Sequence, residues 1–474
     1  MTRSFPAYLA GAWRTTDEQR PLLAPFDGAH IADVSMCGPR ELEEAIAAAE
    51  RSFAATRALP AYRRAEICRQ IAAGLGARRE EIAQGMVDES GKPIGDARAE
   101  VDRAVHCFEL AAEESGRTAS GGEVIPMDVR PGGVGRLGVV RRFPVGPIAA
   151  IAPFNFPLNL AVHKVAPAIA SGNPIVLKPA TQTPTSTLRL AEIIDGTAWP
   201  KGALSVLPCT REAADALTTD ERFKLLTFTG SAEVGWKMKA RAGKKRVVLE
   251  LGGNAAVIVD ESADLAAAIA PLVYGAFSYS GQKCISVQRI YVHTRVHDDF
   301  TTRFVEATRE VKVGDPREEG VLVGPMIDEA NAKRIERWIG EAEERGARVL
   351  VGGPRRGTVV PPTVLAGVPR DAKLSCEEAF GPVCFIERVA SFDEAIAAVN
   401  DSVFGLQAGV FTQHLGHSLA AFEKLEVGAV ILNDAPSFRI DHMPYGGIKE
   451  SGFGREGIRS AILDMTEERL LVAR

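Results

Sequence analysis

The sequence predicts an α/β protein built from two doubly wound domains facing each other across a cleft. Between residues 147 and 251, short β-prone runs alternate with helical stretches, the rhythm of βαβ units around a buried parallel sheet. A second series of short β-prone segments follows, at 256–259, 289–292, 384–389, 409–412 and 429–432. The chain has 474 residues, enough for both cores at roughly 100–200 residues per domain.

Taken in order, residues 41–57, 62–87 and 97–115 repeat apolar positions at helical spacing with charges between them, which predicts three helices. Residues 121–145 change character, being rich in Gly, Pro and β-branched side chains, and the run Leu137-Gly138-Val139-Val140 reads as strand. Strands are then expected at 147–151, 174–177, 203–207, 225–229 and 247–251, with helices at 158–170, 185–194, 211–217 and 232–240. The tail, 461–474, mixes charged and apolar residues and reads as an edge strand. No internal repeat or low-complexity segment interrupts this order.

Composition narrows the function. The chain is 46% hydrophobic and 25% charged, an ordinary globular balance, with a net charge of −5 that gives no basic footprint for nucleic acid or an anionic membrane. Its 7 cysteines are scattered and contain no C-x-x-C pair, so neither a disulfide framework nor a metal site is expected. The N-terminal residues lack the apolar core of a signal peptide, and no apolar stretch approaches the roughly 18 residues of a membrane span. A cytoplasmic setting is expected.

One motif is a decoy. Gly133-Val134-Gly135-Arg136-Leu137-Gly138 fits G-x-G-x-x-G, but the dinucleotide fingerprint needs a helix after it. The residues that follow, Val139 to Pro144, are β-prone and end on proline, so a hairpin turn is predicted.

Five short segments carry chemistry. Cys284, in Gly281-Gln282-Lys283-Cys284, has a cation beside it that favours thiolate, although an isolated cysteine is more often a small buried hydrophobe. Glu250 ends an apolar strand ahead of Gly252-Gly253, where a buried carboxyl needs a partner or a proton; the alternative is a carboxylate turned to water. Asn155, in Pro153-Phe154-Asn155-Phe156-Pro157, is held rigidly enough to offer its amide to an oxyanion, or caps a turn. Lys178 ends a strand where a ribose hydroxyl could be met, or is simply solvated. Gly230-Ser231 forms a strand-to-helix turn whose free N–H groups suit a phosphate.

Together these segments resemble the aldehyde dehydrogenase superfamily, in family order and over nearly the whole chain. Glu378-Ala379-Phe380-Gly381-Pro382 and the run from Pro444 to Gly452 extend the likeness. The resemblance implies a Rossmann-like cofactor domain (1–117 and 143–251), a catalytic domain (252–444) and a small β oligomerisation arm (118–142 and 461–474). It implies a homodimer or homotetramer, with NADP or NAD as cofactor and an aldehyde as substrate. Cys284 would attack the aldehyde to form a thiohemiacetal, with Asn155 and the Cys284 N–H holding the oxyanion. Hydride transfer would leave a thioester, which water activated by Glu250 would hydrolyse. Lys178 and Glu378 would meet the two riboses, Phe380 would pack on the nicotinamide side, and Ser231, with Gly230, would meet the pyrophosphate. Pro153 and Phe154 would line the cofactor site.

Two departures refine this expectation. Where NAD-preferring members often carry an acid three residues after the lysine, this chain has Thr181, which would not repel a 2′-phosphate; Arg211 lies within reach of the same reading. Lys283 and Arg439 are cations near the nucleophile and the cleft turn, and they suggest a small anionic or hydroxylated aldehyde. The competing readings are a coenzyme-A-acylating semialdehyde dehydrogenase, which typically lacks the glutamate, and a non-catalytic structural relative.

Overall fold

The structure is a computed structural model that describes residues 3–117 and 121–474. Residues 1–2 and 118–120, which the expected cofactor segment and arm include, lie outside the described residues.

The first sheet has five parallel strands in the order Arg246–Glu250, Leu225–Thr229, Ile148–Ile151, Ile175–Lys178 and Leu204–Val206. Their runs, such as Ile-Ala-Ala-Ile and Ile-Val-Leu-Lys, are buried on both faces, as near-continuous apolar strands of a parallel sheet must be. Alternation sends Ile148 and Ala150 into a core with Ile71, Val101 and Phe108 of the helical layer. It sends Ala149 and Ile151 to the opposite core, with Leu42 and Ile46 of helix Pro39–Ala58. Antiparallel strands close both edges: Ala7–Leu9 with Ala12–Arg14 on one side, and Gly452–Phe453, from far down the chain, on the other.

The second sheet has six parallel strands in the order Thr363–Ala366, Val383–Val389, Val287–His293, Ala255–Val259, Gln407–Phe411 and Ala429–Leu432. Arg348–Val351 adds an antiparallel edge. Helices cover both faces: Phe300 and Phe304 pack on Val257 and Val259, and Phe392 and Ile396 on Ala256 and Ile258. The mixed α/β class expected from the alternation is therefore the class found.

A three-stranded antiparallel sheet joins Gly122–Pro126, Leu137–Pro144 and Thr466–Ala473. The G-x-G-x-x-G decoy begins in the connection of this hairpin, at the short turn Pro131–Gly133, and runs into the strand that starts at Leu137.

Several element boundaries differ from expectation. The helix read at 62–87 is two, Ala61–Ala77 and Arg79–Ser90, because Arg78 leaves helical dihedrals and ends the first. The helix expected at 211–217 forms only at Asp215–Thr219. The tail is not all strand: Ile458–Asp464 is a helix because Ile458 and Ile462 share one face buried in the core, and the strand starts at Thr466.

This topology places the chemistry. Ile151, Lys178, Thr229 and Glu250 all end parallel strands, with Ile151 opposite Lys178 and Thr229 opposite Glu250. Ligands bind outside such carboxyl ends.

Candidate active site

A cavity of about 690 Å³ opens at those strand ends, and every site residue singled out from the sequence lines it. Cys284, Glu250 and Asn155 share it with Lys283 and Arg439, and Lys178, Thr181, Gly230, Ser231, Glu378, Phe380, Pro153 and Phe154 line its remaining walls.

The turn that presents Cys284 is strained. Tyr279 and Ser280 both have left-handed φ values, 52° and 54°, and Gly281 follows at 65°. Such residues cost about 1–3 kcal/mol each and persist where packing overdetermines them. Here Ser280 Oγ donates to the Gly324 carbonyl at 2.8 Å, and Gln282 Oε1 accepts from the Ile327 N–H at 2.8 Å. A Cβ at position 281 would lie 2.1 Å from the Gly381 carbonyl oxygen, so only glycine fits.

Asn155 is buried, and its Nδ2 donates to the Gln282 carbonyl at 3.0 Å, which ties it to the cysteine turn and leaves one N–H for a ligand. Its loop is anchored from behind. Buried Glu100 accepts from the N–H groups of Leu158 and Asn159 at 3.0 and 2.9 Å and pairs with buried Lys92.

Glu250 is buried, and neither carboxyl oxygen has a hydrogen-bond partner among the described residues. Burial, reinforced by the charge of Glu456, raises its proton affinity well above the ordinary carboxylate range. Glu456 behaves oppositely. Burial works against its charge, but Lys164, whose Nζ is 2.8 Å away, holds it ionised with help from Arg439. The two carboxyls are thus driven apart, one protonated and one charged, the pattern of acid and base assignments in enzymes.

Cys284 is held on the other side. Its sulfur lies 3.1 Å from the hydroxyl of Tyr445. Burial pushes the thiol up to about 11, the Tyr445 hydrogen bond and Arg439 pull it back, and Glu378 and Glu250 oppose ionisation.

The far half of the cavity suits a dinucleotide. Helix Ala232–Arg241 begins there with no side-chain cap after Ser231, so its first N–H groups and dipole are free for a pyrophosphate. Among the described residues, buried Lys178 meets only the Pro179 carbonyl, at 3.2 Å, which leaves donors for a ribose. Glu378 accepts from the Gly253 N–H at 3.0 Å, and burial pushes its carboxyl up to about 7. Phe380, at a left-handed φ of 47°, packs edge-on against Phe154 with ring centroids 5.8 Å apart. Thr181 puts no carboxylate on this wall, and Arg211 lines the same wall, close enough for its charge to act on Glu212 and Glu233.

The near half is cationic. Arg439 lies 3.7 Å over the Tyr445 ring and 3.4 Å from Glu456, and its Nε is buried without a partner among the described residues. Arg103, which the sequence reading missed, lines the same wall and grips Asp441 with two hydrogen bonds of 2.6 and 3.1 Å. Its only sequence signal was a place among the charged positions of a helix. Lys283 also lines the cavity, but its Nζ is bonded to Ser278 Oγ and sits 3.4 Å from the Tyr274 carbonyl. Burial lowers it to about 8. Cys107, His163 and Asp441 bring ligand-type atoms within 4.8 Å of one another nearby. Asp441 is already committed to Arg103, and Arg439 also faces the group, so the local charge opposes a cation.

Residues 13–471 match the model of the Aldehyde dehydrogenase family. The chain belongs to the aldehyde dehydrogenase family. Among curated relatives, it is 41% identical to 3-sulfolactaldehyde dehydrogenase from Priestia aryabhattai, over 99% of this chain and 98% of that one. Among solved structures, aldehyde dehydrogenase 21 from Physcomitrella patens, in complex with the reaction product succinate, superposes with a TM-score of 0.97 at 46% identity, covering 100% of this chain and 99% of that one. A glyceraldehyde-3-phosphate dehydrogenase from Methanocaldococcus jannaschii, complexed with NADP, gives a TM-score of 0.93 at 37% identity, covering 97% and 100%. This aldehyde dehydrogenase is an oxidoreductase that acts on an aldehyde with NAD or NADP as acceptor. No helix among the described residues is long and apolar enough to cross a membrane.

Proposed function

We propose that this enzyme oxidises a short aldehyde with an anionic or hydroxylated tail to its carboxylic acid, accepts NADP, and releases its product by hydrolysis. The observation that carries the reading is the meeting, in one cavity, of the Cys284 sulfur, the unpartnered carboxyl of Glu250, the Asn155 amide and a cationic wall. Cys284 attacks the aldehyde carbon as thiolate, and Asn155 Nδ2 with the Cys284 N–H holds the oxyanion. A bound nicotinamide would supply the hydride acceptor for oxidation to the thioester level. Once ionised, Glu250 takes a proton from water, which attacks the thioester carbon and frees the acid and the thiol. That carboxyl favours water over coenzyme A as the acyl acceptor. We divide the chain by role: 1–117 and 143–251 hold the cofactor, 252–444 carries the nucleophile, and 118–142 with 461–474 form an arm.

The cationic wall supports an anionic tail. An incoming carboxylate, phosphate or sulfonate would give the orphaned Arg439 Nε an acceptor. Arg103→Gln and Arg439→Gln are each expected to raise KM for an anionic aldehyde about 10- to 100-fold, the loss of a hydrogen bond between charged groups. A neutral aldehyde of the same length is the control, and equal effects on both substrates would refute the anion site.

For the cofactor, Thr181 and the cationic Arg211 on the same wall support acceptance of a 2′-phosphate. Thr181→Glu is expected to lower kcat/KM for NADP by about tenfold while sparing NAD, because one like-charge contact repels the phosphate. An unchanged cofactor ratio would count against the reading.

The enzyme is proposed to assemble as a dimer or tetramer in the cytoplasm. Helix Leu415–Lys424 exposes Leu415, Leu419 and Phe422 on one stripe, strand Thr466–Ala473 leaves one edge unpaired among the described residues, and all 7 cysteines are free. Light scattering and cell fractionation read these directly.

A further inference from the structure

Tyr445 touches the nucleophile, yet the chemistry above gives it no part. Its position is fixed from three sides. Its main chain exchanges hydrogen bonds with Glu456 at 2.9 and 2.6 Å, its ring packs with Ile285 and Leu406, and Arg439 covers the ring face at 3.7 Å. Its hydroxyl is therefore held 3.1 Å from the Cys284 sulfur by structure that does not depend on the cysteine. While the sulfur carries its proton, either group can donate. Once the sulfur is a thiolate it can only accept, so the tyrosine O–H must donate and the bond becomes charge-assisted.

We propose that Tyr445 is a further catalytic residue, whose O–H donates to the Cys284 thiolate, favours the nucleophilic form and fixes the direction of the sulfur lone pairs. The inference rests on reading Cys284 as the nucleophile. No atom is transferred to the tyrosine. The thiol proton leaves to water in the cleft, while Tyr445 keeps its own, because burial and the nearby Cys284 and Glu250 charges oppose a phenolate more than Arg439 favours one.

The surrounding charges are mixed. Arg439, from the segment before Tyr445, and Lys283, next in sequence, favour the thiolate; Glu250 from the strand end and Glu378 from the facing loop oppose it. Against that background the tyrosine is the one neutral donor in hydrogen-bond contact with the sulfur among the described residues.

The test is the pH dependence of Cys284 alkylation by iodoacetamide, followed on its own peptide by mass spectrometry because Cys376 is exposed. In Tyr445→Phe the midpoint should move to higher pH and the rate near neutrality should fall about tenfold, the effect of losing one hydrogen bond to a charged group. Site-specific 3-fluorotyrosine at 445, nearly isosteric with a more acidic hydroxyl, should move the midpoint down and keeps the question answerable if the phenylalanine variant folds poorly. Profiles unchanged in either variant would overturn the proposal. Cys284→Ala separates the two ideas. Retained aldehyde oxidation there would defeat the nucleophile itself, whereas an inactive alanine variant beside an unchanged Tyr445→Phe profile would defeat only the tyrosine's role.

Discussion

Cys284→Ala is expected to lower aldehyde oxidation on the order of 10⁴-fold or more, the scale of removing a covalent nucleophile. The loss should not come from folding. Cys284 is only partly buried, and the strained turn beneath it is held by Ser280, Gly281 and Gln282 rather than by the sulfur. Trimming the thiol to a methyl therefore removes one small group, at a cost of about 1 kcal/mol. Cofactor binding, proposed to rest on Lys178, Ser231 and Glu378 in the other half of the cavity, should survive. Reduced-cofactor absorbance reads the first effect and quenching of protein fluorescence on NADPH addition reads the second. Turnover above about one part in a hundred would mean that another group begins the reaction.

Glu250→Gln should have an effect nearly as large but of a different kind. Glutamine copies the protonated carboxyl that burial and Glu456 impose on the resting enzyme, so geometry is kept while the base is lost. The first turnover, which on this proposal uses Cys284 and Asn155, should still yield one equivalent of reduced cofactor, and steady-state turnover should then fall about 10²- to 10⁴-fold. The wild-type rate should rise with pH as Glu250 ionises above the ordinary carboxylate range, and the variant should lack that rise. Stability follows the same linkage. A carboxyl that binds its proton more tightly in the folded state contributes stability below its unfolded value, and this is lost as pH rises through its folded value. Glu250→Gln should therefore unfold no more easily than wild type at neutral pH. A variant without a burst, or one that keeps wild-type turnover, would remove Glu250 from the deacylation step.

Much of this site was legible in the sequence because its chemistry sits in short local segments. Cys284, Glu250, Asn155 and Lys178 each stand within three residues of glycine or proline at a strand or turn boundary, where composition and backbone geometry speak together. Arg103 was hidden for the opposite reason. Its partner Asp441 is 338 residues away, and on a helix rich in charge a single arginine reads as a solvated face. Tyr445 was visible only as part of a turn, because its meaning comes from the facing sulfur. The strain at Tyr279 and Ser280 also left no mark, since neither residue type favours left-handed backbone; only Gly281 hinted at it. In the fold, the alternating strands were clear. The edge strands Ala7–Leu9 and Arg348–Val351 were not, being short and stabilised by partners distant in sequence.

The central claim is that the acid leaves through a thioester on Cys284 that Glu250 commits to water. The most direct measurement is the mass of Glu250→Gln after mixing with aldehyde and NADP and quenching in acid. The account predicts one acyl group per chain, mapped to the Cys284 peptide, formed in step with the burst and absent from Cys284→Ala. An unmodified Cys284 peptide under a full burst, or the same adduct at another cysteine, would contradict it.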